Sequence, residues 1–204
     1  LVQVDYNTGS YFVFDEANPG DMSQASSLSS SEDRKILGQT TPKYFGGWHN
    51  TMSYKNFDLS FLLRFSGGNK IFNYTRRELL SQTFNNNLTE IMGRWQDPSN
   101  PGDGVTPKLW ANGDGVVNNN VLSSRFAEKG DFISLDNITL GYNFDRELLQ
   151  RANIEGLRVY VAAQNVFMIT DYKGVDPEMI TSYGVDAFGT PKSRIVSLGV
   201  NLKL

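Results

Sequence analysis

The sequence predicts an all-β fold: a run of antiparallel strands from the wall of a transmembrane β-barrel, with long extracellular loops. Three observations predict it. Apolar side chains recur at every second position over several segments, as they do where successive residues point to opposite faces of a strand. The links between those segments alternate between short and long. No apolar run approaches the roughly 18 residues of a membrane-spanning helix; Phe61-Leu62-Leu63 and Val159-Tyr160-Val161-Ala162-Ala163 fall well short.

Taken in order, residues 1–6 alternate from the first position and lack the basic start and long apolar centre of a secretory signal, so they read as a strand already under way. Residues 11–14 are a second short strand, and 44–54 a weaker one. Over 57–66 every odd position is apolar, while Asp58, Ser60 and Arg64 take the other face. In 131–144, Ile138, Leu140, Tyr142 and Phe144 oppose Thr139, Gly141 and Asn143; in 157–168, Leu157, Val159 and Val161 oppose Arg158, Tyr160 and Ala162. The last strand, 193–204, sets Val196, Leu198, Val200, Leu202 and Leu204 against Ser197, Gly199, Asn201 and Lys203.

The links decide the architecture. Asn7-Thr8-Gly9-Ser10, Lys55-Asn56 and 145–156 are short; 15–43, 67–130 and 169–192 are long. Membrane barrels pair short periplasmic turns with long extracellular loops, which gives such a parity a physical cause. The long loops are therefore expected outside and the chain end on the periplasmic side. Single-chain bacterial barrels close with an even strand number, so seven strands are not expected to close alone. The alternative is a soluble all-β carbohydrate-binding module of the lectin kind, which offers no account of the parity.

Within the loops, the serine-rich 23–31 and the Asp/Pro/Gly/Asn-rich 97–120 carry turn chemistry. Leu88, Ile91, Met92 and Trp95 follow a run of asparagines at the spacing of one apolar helical face. Asp145-Arg146-Glu147-Leu148-Leu149 predicts a capped helical turn closed at Gly156.

Composition removes several classes of function. Nineteen Lys and Arg against twenty-two Asp and Glu give a net charge of −3, which leaves no basic field for nucleic acid. No cysteine is present, so disulfides and thiolate sites are excluded, and the single histidine, His49, comes with no nominated nucleophile or orienting acid. No enzyme, metal or cofactor is expected. Asp97, Asp103 and Asn112-Gly113-Asp114-Gly115 miss the spacing of a calcium loop and read as turns. The Asn-x-Thr sequons at Asn73, Asn87 and Asn137 read as chance matches.

A barrel wall assigns roles by face. Asp58, Arg64, Asn143, Gln164, Asn201 and Lys203 are expected to face the lumen, where the family resemblance given below implies a plug. Tyr54, Phe57, Tyr142 and Phe144 form an expected aromatic girdle. Trp95, Trp110, Tyr172, Tyr183 and Phe188 lie in the outer loops, positioned either to meet substrate, or the lid that the family resemblance given below implies, or to pack the loops themselves. Val196, Leu198, Val200, Leu202 and Leu204 carry the alternation that barrel-assembly machinery reads.

Longer runs carry a resemblance. Residues 124–142, Ser-Arg-Phe-Ala-Glu-Lys-Gly-Asp-Phe-Ile-Ser-Leu-Asp-Asn-Ile-Thr-Leu-Gly-Tyr, together with Leu157-Arg158-Val159-Tyr160-Val161-Ala162-Ala163-Gln164-Asn165-Val166-Phe167 and the Asp171-Tyr172-Lys173-Gly174-Val175-Asp176-Pro177-Glu178 that follows, resemble the SusC/RagA family of TonB-linked outer-membrane transporters. Tyr54-Lys55-Asn56-Phe57-Asp58-Leu59-Ser60, Gly68-Asn69-Lys70-Ile71-Phe72-Asn73 and Arg94-Trp95 extend it in family order. The resemblance implies the C-terminal strands of a plugged barrel of the 22-stranded class, residues 1–204 being that part of the wall, with plug and TonB-contacting segment elsewhere. It implies import of oligosaccharides or peptides with a SusD-like surface lipoprotein as lid and outer-membrane lipid as surroundings. Two departures stand out: serines occupy the stretch between Gly20-Asp21 and Ile36-Leu37-Gly38 where acidic residues are frequent, and the last residue is Leu204 rather than an aromatic.

Overall fold

The structure, a computed structural model, describes residues 2–4, 11–14, 22–24, 35–81, 86–109 and 122–204. In chain order its elements are β1 (Val2–Val4), β2 (Tyr11–Phe14), β3 (Met22–Gln24), β4 (Tyr44–Tyr54), β5 (Phe57–Gly67), β6 (Lys70–Asn73), α1 (Tyr74–Leu79), β7 (Ala127–Lys129), β8 (Phe132–Asn143), α2 (Arg146–Leu149), β9 (Gly156–Thr170), β10 (Val185–Asp186) and β11 (Ile195–Lys203). The chain divides into two compact units. One comprises Thr41–Asn69, Lys129–Met179 and Thr190–Leu204; the other comprises Leu1–Thr40, Lys70–Glu128 and Ile180–Gly189.

The first unit is built on a five-stranded sheet of order β11-β9-β8-β5-β4. Every neighbouring pair is antiparallel, and each strand pairs with the next one of the sheet along the chain, so the sheet is an up-and-down meander. All five strands fall where the alternation predicts them. The expected seven-strand wall is corrected to five among the described residues: β1 and β2 do form, but in a separate antiparallel sheet with β3. β3 lies in the stretch read as loop 15–43, because a three-residue strand is held by backbone pairing and shows no side-chain period.

Pairing across the sheet sorts its side chains. Phe57, Leu59, Phe61, Leu63 and Phe65 share a face with Trp48, Met52, Ile133, Leu135, Ile138, Leu140 and Tyr142, and on through Val159 and Val161 to Val196, Leu198, Val200 and Leu202. Much of this face is uncovered: Trp48 is 58% exposed, Ile169 64%, Leu198 75% and Val200 60%. A soluble protein rarely leaves so extended an apolar surface open. Asn50, opposite Phe61, is a polar exception, its Oδ1 buried without a hydrogen-bond partner. β4 has 11 residues, about 33 Å at ~3.3 Å per residue, or about 25 Å of height at a ~40° tilt, which matches the apolar band of an outer-membrane barrel.

The phase of β8 changes midway. Ile133 and Leu135 are apolar at odd positions, Ile138, Leu140 and Tyr142 at even ones, and the register with β5 shifts between Leu62 and Leu63. Asp136 is the extra residue, a β-bulge that leaves Asp136 and Asn137 side by side. β9 answers with a second irregularity opposite it, where Asn165 takes φ 51°. Facing apolar pairs are therefore two residues apart in β5 (Phe61, Leu63), three in β8 (Leu135, Ile138) and four in β9 (Ala163, Phe167), yet the apolar face is unbroken.

The short connections lie at one end of the sheet. Lys55, at φ 53°, supplies the positive φ of a tight two-residue hairpin. The predicted helical turn is present as α2, followed by a 3₁₀ turn, Gln150–Ala152, but it closes at Asn153 in the left-handed region rather than at Gly156, which opens β9. Asp145 makes no side-chain cap; its carboxylate accepts from Asn56 Nδ2 at 2.8 Å and ties the two short connections together. Beside them, Phe57, Tyr142 and Phe144 form successive edge-on ring contacts at 4.8 and 5.0 Å.

The second unit contains a small sheet of order β10-β6-β7, with β10 parallel to β6. Its core includes Ile71, Phe126, Leu80 and Trp95. Asn73 is fully buried and caps α1, its Oδ1 accepting from Arg76 N at 2.8 Å. The helix expected from Leu88, Ile91, Met92 and Trp95 is corrected to a 3₁₀ turn, Thr89–Gly93, without a side-chain cap and with Met92 70% exposed. The chain leaves the helical path there because Gly93 O accepts from Asp103 N and Trp95 N donates to Thr106 O.

A cation in the centre of the apolar face tests this assignment. Leu198→Arg, at a cost of about 2–4 kcal/mol at the bilayer midplane, is expected to abolish folded, heat-modifiable protein in outer-membrane fractions, whereas Ser197→Arg on the opposite face is tolerated. Equal folded yields of the two variants would contradict the face assignment.

Candidate functional site

The candidate site is the polar face of the five-stranded sheet with the loop that closes over it. Cross-strand partners place Asp58, Arg64, Asn143, Gln164, Asn201 and Lys203 on this one face, opposite the apolar one. His49 lies exposed on the same face, opposite Leu62.

Near the short connections, Arg158 sets its guanidinium against the Asp58 carboxylate, with Nε at 3.0 Å and a terminal nitrogen at 2.6 Å, and Asn143 Nδ2 donates to the same carboxylate at 3.0 Å. Two glycines make room for this row. A Cβ at Gly141 would run into the Asp58–Arg158 pair, and one at Gly199 into the Tyr160 ring, over which Arg158 sits 4.8 Å from the centroid. Alternation places Arg158 and Tyr160 on this face, and the glycines facing them mark where the bulky pair is accommodated. Asn201 and Lys203 help line a recess of about 910 Å³ beside this row, and Lys203 pairs with Glu155 at 2.7 Å.

Farther along the face, Arg64 is the hub of a second network. It holds Glu178 by two parallel hydrogen bonds of 2.9 Å and bonds Asp136 on its other side. Ser134 Oγ donates to Asp136 at 2.7 Å, and Lys192 Nζ donates to Glu178 at 2.6 Å. The bulge in β8 lets Asp136 share this face with Arg64 while Ile138 stays on the apolar one. Glu178 is aimed by a turn in which Asp176 O accepts from Met179 N and Asp176 Oδ1 from Glu178 N, with Pro177 fixing φ between them. Partial burial pushes the Glu178 carboxyl up, but the hydrogen bonds from Arg64 and Lys192 outweigh it and hold the group below its usual range. Periodicity does not single out Asp136, Glu178 or Lys192: Asp136 sits at the break in the period of β8, and Glu178 and Lys192 lie in a loop distant in sequence from Arg64.

The expected loop aromatics separate. Trp95 and Tyr172 are buried, so their ring faces are closed to a ligand: Lys108 Nζ sits 5.9 Å from the Trp95 centroid, and Gly174 lies so close to Tyr172 that a Cβ there would clash with the ring. Tyr183 is 83% exposed and Phe188 57% exposed. Phe188 adopts φ 58°, a costly conformation for a bulky residue. It is held there by its N–H, which donates to Thr75 Oγ1 at 2.7 Å, by Thr75 donating in turn to Asp186, and by an edge contact with Tyr74 at 6.2 Å. Trp110, Asn112–Gly115 and Gly20–Asp21 lie outside the described residues.

On α1, Arg76 is buried among Glu90, Glu128 and the Arg125 carbonyl. Burial works against its charge, and the two carboxylates more than offset that, leaving the guanidinium more firmly protonated than usual. Asp97 and Asp103 spend their carboxylates on turns: Asp97 accepts from the N–H groups of Ser99 and Asn100, Asp103 from those of Val105 and Thr106. Among the described residues no group of three His, Cys, Asp or Glu is placed to hold a metal.

No family model matches the chain. It is 32% identical over 184 residues to the TonB-dependent receptor P3 of Formosa agariphila, covering 85% of this chain and 18% of that protein. It is 33% identical over 175 residues to the TonB-dependent receptor SusC of Bacteroides thetaiotaomicron, covering 85% and 16%. The chain thus spans less than a fifth of the length of these relatives. Among solved structures it resembles the RagAB peptide transporter, with a TM-score of 0.80 and 24% identity over 98% of this chain and 21% of that one, and the RagAB peptide importer in its open-open state, with a TM-score of 0.77. At that identity the structural likeness establishes the fold.

The Glu178 shift sets the pH response of the loop. A carboxylate whose folded pKa is depressed contributes stability above the ordinary glutamate value and loses it as pH falls through the lower, folded value. Hydrogen exchange over 171–179 is therefore expected to stay level from pH 8 to 5, apart from the intrinsic rate, and to accelerate only in stronger acid. A rise already between pH 7 and 6 would contradict the assignment of Glu178 as the group responsible.

Proposed function

The chain belongs to the TonB-dependent receptors of the SusC type, outer-membrane β-barrel proteins, and on that premise we propose that residues 1–204 are the C-terminal part of the barrel wall of a nutrient importer. The observation that carries the reading is the division of one sheet into an open apolar face and a cross-linked polar one. The apolar face meets lipid. The polar face, with Asp58, Arg64, Asn143, Gln164, Asn201 and Lys203, meets the plug and lines the path of the cargo, which passes unaltered. A soluble sugar-binding sandwich would need to cover the apolar face, and that face is exposed.

In this reading the plug and the segment that engages TonB lie in parts of the protein outside these residues. A SusD-like lipoprotein caps the barrel, and the cargo is an oligosaccharide or a peptide; the description of RagAB as a peptide transporter supports the peptide. Tyr183 and Phe188 are the loop contacts with cargo or lid. An aromatic ring is rarely held exposed at positive φ without a use, since the strain must be supported by neighbouring contacts.

Uptake by cells carrying the full-length receptor tests this. Import of a labelled oligopeptide or oligosaccharide is expected to cease when TonB is depleted, and to fall at least fivefold in Tyr183→Ala/Phe188→Ala at unchanged receptor level. Uptake of every such cargo that is indifferent to TonB would overturn the importer reading, and wild-type uptake by the double variant would remove the aromatic pair from it.

A further inference from the structure

The Arg64 network joins two kinds of structure. Arg64 and Asp136 belong to β5 and β8: Arg64 pairs with Gly47 and Ser134 in the ladders on its two sides, and Asp136 is the bulge residue held between the paired Leu135 and Asn137. Glu178 and Lys192 belong to the outgoing and returning limbs of the segment between β9 and β11, and both lie outside any strand. Glu178 bonds to both parties: its carboxylate accepts two hydrogen bonds from Arg64 and one from Lys192.

We propose that Glu178 is a latch, a single carboxylate that joins both limbs of the outer loop, 171–179 and 190–194, to Arg64 on the polar face of the wall, so that removing it loosens those limbs and leaves the wall intact. The geometry is prepared on each side. Asp136 holds the Arg64 guanidinium in place before the loop arrives, so docking Glu178 immobilises little that was free. On the loop side, the Asp176-Pro177-Glu178-Met179 turn presets the direction of the glutamate through its own hydrogen bonds.

Charge makes the device asymmetric. Arg64 and Lys192 balance Asp136 and Glu178. Without Glu178, two cations face one carboxylate, and Lys192 loses its hydrogen-bond partner, leaving the returning limb to the bond from Asn165 Nδ2 to Ser193 O at 2.8 Å. Without Lys192, the bidentate Arg64–Glu178 pair persists and only the returning limb is released. A loop that merely packs against the wall would show no such difference. The latch stands on geometry that does not depend on transport; its consequence, two loop limbs pinned beside a polar path by a shared carboxylate, rests on the importer reading.

Hydrogen exchange of the full-length receptor in detergent, read by mass spectrometry, distinguishes the cases. In Glu178→Ala, exchange over 171–179 and 190–194 is expected to rise at least tenfold. In Lys192→Ala the rise is confined to 190–194. In both, β5, β8 and β9 exchange as in the wild type, and the heat-dependent mobility of the folded barrel is retained. Unchanged loop exchange in Glu178→Ala, equal release of both limbs by Lys192→Ala, or acceleration of the wall strands along with the loop would each overturn the latch. None of these readouts requires cargo, so failure of the uptake experiment leaves this one interpretable.

Discussion

A strand that crosses hydrocarbon must satisfy each backbone polar group from its neighbours, because no water is there to do so. In this chain that constraint governs the rest. It is met by four antiparallel ladders joining five strands in sequence order, and the ladders in turn force side chains to alternate between two surroundings. Most apolar side chains of the sheet then face one way, with Leu62, Phe132 and Met168 as exceptions, and among the described residues that face stays largely open. The polar chemistry collects on the other face, where Asp58 meets Arg158 and Arg64 meets Asp136. The short connections and their aromatic rings gather at one end for the same reason: antiparallel neighbours need only a tight turn there.

The bulge at Asp136 shows how much a single departure from that order can do. A strict period counted from Leu135 would send Ile138 to the polar face, and one counted from Ile138 would send Asp136 to the apolar one. One added residue in β8, answered by another at Asn165 in β9, keeps the apolar face continuous while placing a carboxylate beside Arg64. Bulges of this kind re-aim side chains at the rims of barrels. Here the re-aimed group prepares the arginine that a distant loop then uses.

The five wall strands were legible because their alternation is long and their faces differ in polarity; the six polar-face residues followed from parity alone. The phase change from Leu135 to Ile138 was also visible, but its structural meaning required the partner strand. What was not legible was short or distant. β3, β6 and β10 are held by two to four backbone pairings and carry no period. The helix drawn through Leu88 and Trp95 failed because the Asp103 turn captures the Gly93 carbonyl, a contact that spacing cannot register. Exposure divided the loop aromatics where composition did not: Trp95 and Tyr172 fill the interior, while Tyr183 and Phe188 stand outside.

The central claim is that these strands are part of a much larger membrane barrel. The most direct test is the size and heat-modifiability of the native polypeptide carrying this sequence, taken from detergent-extracted outer membranes. The account predicts a species several times heavier than 22.8 kDa whose electrophoretic mobility shifts on heating. A detergent-free, unshifted species of 22.8 kDa would contradict it.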